Sequence, residues 1–150
     1  MNRIPPAALL LGIAGLAPFI TGAMLSLEYL NAGAGGFSFL NGTDGPLIML
    51  RYGVIILCFM SGALWGFATT APGMQGTAAF ALSVVPALWV FLNPGAQADA
   101  ALINLMIGFS GLLLLDYAFH RWSLCPEWWM ALRVPLTLVV LICLAIGVWA

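Results

Sequence analysis

The chain has 150 residues, 63% of them hydrophobic and only 6% charged. A soluble domain carries about 25% charged residues, so a water-soluble surface cannot be built from this composition, and a net charge of −1 gives no footing for a nucleic-acid partner. A spanning helix takes about 20 apolar residues, which leaves room for about five spans and no hidden soluble domain.

The first apolar segment covers residues 6–27. Its lead-in, Met1-Asn2-Arg3-Ile4-Pro5-Pro6, is too short and too lightly charged for a signal n-region, so the segment is expected to stay as a span rather than be cleaved. Pro18 predicts a kink in it, and Ala8, Gly12 and Gly15 are small positions that suit close packing. A loop over 28–46 follows, rich in glycine (Gly33, Gly35, Gly36, Gly42, Gly45). Its Asn41-Gly42-Thr43 matches a glycosylation sequon, which carries no meaning in a bacterial chain.

The second segment, 47–70, enters a stretch from Tyr52 to Ala98 with no Asp, Glu, Lys or Arg. Gly62-Ala63-Leu64-Trp65-Gly66 gives it a small-xxx-small motif, and Gly53 and Ser61 add small positions, a pattern that lets helix backbones approach closely. A Pro-Gly turn at 71–75 leads to the third segment, 76–92, where Pro86 predicts a second kink. A second tight turn, 93–97, leads to the fourth segment, 98–117, with Gly108, Gly111 and the amide Asn104, expected to hydrogen-bond a neighbouring helix. An aromatic loop of mixed charge, 118–130, precedes the fifth segment, 131–149, in which Pro135 marks either a kink or the first turn.

These segments predict an all-α polytopic membrane protein, a bundle of five transmembrane helices forming one domain over 1–150. Barrel strands would be shorter and would alternate apolar with polar residues. The tight second and third turns make the second, third and fourth helices antiparallel neighbours. Five spans do not divide into two halves, which argues against an inverted-repeat transporter. Arg3, Arg121 and Arg133 lie on one side and only Arg51 on the other, so the positive-inside rule puts the N-terminus in the cytoplasm and the C-terminus in the periplasm. Tyr29 and Tyr52 mark one interface, and Trp122, Trp128 and Trp129 the other. The absence of Lys and the abundance of Ala, Gly and Leu point to a GC-rich bacterial genome, hence a bacterial cytoplasmic (inner) membrane.

A charge near the centre of a span costs about 2.5–3.5 kcal/mol on insertion scales, and here every charge sits near an edge. On the outer side, Glu28 and Arg51 could pair across two helices. On the inner side, Asp116 and His120 are one helical turn apart, Arg121 is adjacent, and Glu127 and Arg133 bracket the fifth segment. Asp116 and Arg133 are candidates for an ion pair that clamps the last two helices. The competing reading makes Asp116 and His120 a proton-handling pair, but the helix centres offer no ionisable groups to continue a path.

No catalytic, cofactor or metal site is expected. One His cannot supply a bis-histidine site, Cys58, Cys125 and Cys143 have no CxxC spacing, and no motif puts a Ser or Cys beside the lone imidazole.

Several stretches together resemble a family of small bacterial and mitochondrial membrane proteins, the transmembrane protein sixty-nine-like family, a domain family of unknown function. They are Ile4-Pro5 with Leu11-Gly12-Ile13-Ala14-Gly15-Leu16-Ala17-Pro18-Phe19, Tyr52-Gly53 through Trp65-Gly66, Ser83-Val84-Val85-Pro86, Gly108-Phe109 through Asp116, and Pro126-Glu127-Trp128-Trp129 with Leu132-Arg133. The likeness covers nearly all of the chain. It departs at Leu64, where the family tends to carry a polar residue, and at Trp129, where it tends to carry Tyr. The resemblance implies a multi-span inner-membrane protein and transfers no activity.

The functional expectation is a non-catalytic accessory or assembly subunit that packs against membrane lipids and other membrane protein subunits or itself, through Gly12, Gly15, Gly53, Gly62, Gly66, Gly108 and Gly111. A small channel or carrier for a neutral or lipid-like solute is the alternative. An intramembrane enzyme ranks third, since it would rest on Asp116 and His120 alone.

Overall fold

A computed structural model describes residues 3–31 and 44–150, with side chains described over 3–27 and 45–150. The described residues form seven helical segments: α1 (Pro6–Ala14), α2 (Ala17–Asn31), α3 (Asp44–Ala68), α4 (Gly73–Ser83), α5 (Val85–Leu92), α6 (Ala98–Arg121) and α7 (Trp129–Trp149). Two of the junctions are the proline breaks expected from the sequence. Pro18 has no N–H to return to Ala14, and the chain passes through a tighter turn in which the Leu16 N–H reaches the Ile13 carbonyl, 3.0 Å away, before α2 resumes. Pro86 separates α4 from α5 in the same way. The Ser83 carbonyl exposed at that break takes a hydrogen bond from the Ser61 hydroxyl on α3. Pro135 lies inside α7 without dividing it.

Taken as continuous spans, the segments give five helices long and apolar enough to cross a membrane: Pro6–Leu27, Gly45–Ala68, Gly73–Leu92, Ala98–Arg121 and Trp129–Trp149. The third starts at Gly73 rather than 76, the fourth runs on to Arg121 rather than 117, and the fifth begins at Trp129 rather than 131. Each extension adds polar or interfacial residues, which hydropathy leaves out although the helical ladder continues through them.

Helices α2, α3, α6 and α7 make the central bundle, in which α6 packs on α7, α2 on α3, α3 on α6 and α2 on α7. The α4–α5 span packs on α3 and α6, while α1 buries none of its residues and rests against α7. On α3 the buried positions Leu57, Met60, Ser61, Leu64 and Ala68 recur at helical spacing. They meet Leu105, Phe109 and Leu112 of α6 in one cluster with Phe19 and Leu144. The Phe19 ring stands edge-on to Tyr52 at 5.3 Å and to Phe109 at 5.9 Å.

Glycine sets the helix separations, though at only some of the expected positions. A methyl on Gly53 would lie 2.4 Å from Leu105, one on Gly108 2.8 Å from Leu57, and one on Gly12 3.0 Å from Leu136. On Gly15 it would meet the carbonyls of Leu11 and Gly12 at 3.3 Å, at the end of α1. Gly62, Gly66 and Gly111 do not serve packing among the described residues, because a methyl on any of them meets nothing there within 4 Å. The spacing of small residues flattens a helix face without fixing which way that face turns. Among the described residues, a close backbone approach between two helices falls instead at Gly22 and Gly45, where a methyl on Gly45 would sit 2.5 Å from the Gly22 carbonyl oxygen. Gly22 and Ser26 are themselves a small-xxx-small pair, the signal that could have revealed this crossing.

Candidate functional site

The end of α6 is closed by a Schellman turn, with Leu124 N–H on the Phe119 carbonyl and Ser123 N–H on the His120 carbonyl, both at 3.0 Å. Its left-handed residue is Ser123, at φ 56°, where glycine is usual. The turn sends the chain back toward α6. The Trp129 N–H then closes on the Pro126 carbonyl at 3.0 Å, and α7 begins. Trp129, Arg133 and Thr137 follow one another at single-turn spacing, so they share a face, and that face looks at Asp116.

Asp116 is fully buried. Its Oδ2 accepts a 2.8 Å hydrogen bond from Arg133 Nε, and its Oδ1 accepts one of 2.8 Å from the Trp129 indole N–H. Arg133 is 6% exposed. Two opposite charges are thus held out of water at the edge of the bundle, each covering the other, which is the only economical way to keep them there. The Trp129 ring is fixed in turn by an edge-on contact with Phe67 of α3 at 4.9 Å.

The cluster is not fully satisfied. Arg133 Nη2 and Thr137 Oγ1 are buried and have no hydrogen-bond partner. Both residues line a cavity of about 340 Å³ bounded mainly by α1, α3 and α7, with Phe19 of α2 and Phe109 of α6, whose walls are otherwise almost wholly apolar.

The ion pair between Asp116 and Arg133 forms as expected, and among the described residues it is the one salt bridge. Asp116 and His120 share the α6 face, but the bonds given to the carboxylate come from Trp129 and Arg133 of α7 and none joins it to His120. The proton-handling geometry is therefore not assembled. His120 instead brings its Nδ1 to 4.0 Å from Cys125 Sγ. Sequence spacing gave no sign of that meeting, which depends on the turn at Ser123. Burial, and then the Asp116 carboxylate, push the Cys125 thiol above its ordinary value, the opposite of what an activated thiolate needs. Arg121 and Glu127 are exposed. Arg51 is exposed as well, and its expected pairing with Glu28 lies outside the described side chains.

A second polar node ties α5 to α6. The Trp89 indole donates to the Asn104 carbonyl at 2.7 Å, Asn104 Nδ2 donates to the Asn93 carbonyl at 3.2 Å, and Asn93 Nδ2 donates back to the Trp89 carbonyl at 3.0 Å. The amide expected to bond a neighbouring helix does so by capping the end of α5. Among the described residues, no three His, Cys, Asp or Glu side chains gather as a metal site would require.

A family model described as a protein of unknown function (DUF3429) matches residues 4–149. Transmembrane protein 69 of Xenopus tropicalis is 30% identical over 146 residues, which cover 93% of this chain and 52% of that protein. The chain thus spans about half the length of the curated relative it matches. No solved structure matches the chain.

Proposed function

The chain belongs to the DUF3429 family, whose description carries no activity, and from that premise we propose that it is a non-catalytic accessory or assembly subunit of a bacterial cytoplasmic membrane. The observation that carries this reading is the outer face of α3. Cys58, Gly62 and Gly66 recur at single-turn spacing and all three are exposed. Among the described residues, nothing covers either glycine within 4 Å of where a methyl would stand. Such a flat strip in lipid lets a second helix approach closely enough for backbone packing. The occupant is a transmembrane helix of a larger complex or of a second copy. The arginine distribution orients the subunit with its N-terminus in the cytoplasm and its C-terminus in the periplasm.

Extraction in mild detergent followed by copurification tests the proposal. A stable association is expected, weakened by Gly62→Leu and Gly66→Leu while the chain itself stays folded, since a β-carbon at either position meets no described neighbour within 4 Å. A strictly monomeric, partner-free species overturns it.

The cavity beside Arg133 favours a second reading, a carrier or channel for a neutral or lipid-like solute. Proteoliposomes that pass no solute remove it.

A further inference from the structure

We propose that the cavity between α1, α3 and α7 is a binding site for one lipid acyl chain, held by its ester carbonyl oxygen on Arg133 and Thr137. This stands apart from the docking role of α3.

The first ground is unmet hydrogen bonding. Arg133 Nη2 and Thr137 Oγ1 are each buried and unpartnered, in residues that are 6% and 1% exposed. A buried donor without an acceptor costs roughly 1–3 kcal/mol, and two in one cavity mark the place where an acceptor belongs.

The second ground is charge. Asp116 already neutralises Arg133 through the 2.8 Å contact at Nε. A carboxylate or phosphate entering beside it would leave a net negative charge in a low-dielectric pocket, whereas a neutral carbonyl takes the spare N–H with no charge to balance. The third ground is depth. Trp128 and Trp129 stand at the start of α7, and interfacial tryptophans sit at head-group level. Arg133 lies about 6 Å further in, at 1.5 Å per residue, the depth at which lipid esters meet their chains. The remaining walls, Phe19, Phe109, Leu136 and Val140 among them, are apolar, and about 340 Å³ is within the range of ligand pockets. Leu11 and Phe59, at the rim, are 73% and 68% exposed, so the opening faces the lipid from which a chain would enter.

The test uses the full chain, delipidated in detergent, and follows binding by native mass spectrometry and by the shift in melting temperature. The probes are dioleoyl phosphatidylcholine, its dialkyl ether analogue without carbonyls, and a decyl-substituted benzoquinone. The diester is expected to bind saturably at one copy and about tenfold tighter than the diether, the ratio that one hydrogen bond supplies. Thr137→Val should reduce that preference, leaving only what Arg133 supplies, while keeping the melting temperature of the empty protein at or above the wild-type value, because its hydroxyl has no partner to lose. Ala8→Phe, on the lightly packed α1, should block the cavity and remove binding. Equal affinity for diester and diether, an unchanged preference in Thr137→Val, or saturable binding of the quinone alone would each overturn the proposal.

Discussion

Arg133 grips Asp116 with one nitrogen only: Nε lies 2.8 Å from Oδ2, while Nη2 of the same guanidinium has no acceptor. The grip joins α6 to α7, the most extensive helix pairing in the bundle. The same residue lines the cavity. One side chain therefore serves both the fold and the candidate site, and variants can separate the two roles.

Asp116→Asn and Arg133→Met each leave a buried charge without its counterpart. Each is expected to destabilise the protein by about 3–5 kcal/mol. The double variant Asp116→Leu with Arg133→Met removes both charges and should recover most of that loss. Thermal unfolding in detergent of the two single variants and the double variant checks this, and additive losses would contradict it.

Trp129→Phe keeps a ring against Phe67 but deletes the indole donor to Asp116 Oδ1. Hydrogen bonds to charged groups are worth about 1.5–3 kcal/mol, so a loss of that size is expected. Losing the indole should make the Asp116→Leu/Arg133→Met background insensitive to the same change, which the unfolding curve of the combined variant reads directly.

Gly45→Ala and Gly66→Ala should diverge in sign. At Gly45 the added methyl meets the Gly22 carbonyl oxygen at 2.5 Å and the Ser26 amide nitrogen at 3.0 Å, backbone contacts that cannot yield cheaply, besides the Ser26 hydroxyl at 2.6 Å. A loss of about 1–3 kcal/mol is expected from such overpacking. At Gly66 the methyl meets nothing within 4 Å. There the gain in helix propensity, up to about 1 kcal/mol, is unopposed. Melting temperatures of the two variants, measured side by side, decide it.

Ser123→Gly should stabilise the chain. A non-glycine residue at φ 56° carries a left-handed penalty of roughly 1–2 kcal/mol, partly offset by the greater freedom of glycine in the unfolded chain. A gain of up to about 1 kcal/mol is expected, visible as a raised melting temperature with the Asp116–Arg133 pair unaltered.

Cys125 gives a pH dependence whose sign follows from its thiol being pushed up by burial and by Asp116. The folded state keeps the thiol proton to higher pH than the unfolded state does. The contribution to stability is therefore complete below the ordinary thiol value and is lost as pH rises through the folded value. In a Cys58→Ala/Cys143→Ala background, maleimide labelling of Cys125 should be slow at neutral pH. Its pH profile should lie above the profile measured for the same protein unfolded in dodecyl sulfate. Coincident profiles would contradict it.

The spans were legible because a membrane leaves the chain little choice: 63% hydrophobic residues and long apolar runs admit only helices. Pro18 and Pro86 announced their breaks, since a missing N–H acts locally whatever surrounds it. Asp116 and Arg133 were legible as partners because each falls within the end of an apolar segment, where a charge needs a counter-charge, whereas Arg121 and Glu127 lie in the connecting stretch and are exposed. What spacing could not supply was rotation. Asp116 and His120 share a face, yet Trp129 arrives from α7 and takes the second oxygen. Gly62 and Gly66 have the spacing of a contact motif but look outward, while Gly22 and Gly45 make a close backbone crossing. Thr137 and the spare nitrogen of Arg133 were invisible, because an unsatisfied donor exists only once every neighbour has been placed.

The clamp between α6 and α7 also bears on biogenesis. Asp116 alone on α6, or Arg133 alone on α7, would enter hydrocarbon as a naked charge, at a cost of about 2.5–3.5 kcal/mol for each if it reached the helix centre. Only when the two helices lie side by side, with Trp129 folded over the pair, does that cost vanish. Entry of α6 and α7 into the bilayer as one hairpin, with the loop at Ser123 already turned, therefore spares either charge from meeting hydrocarbon alone.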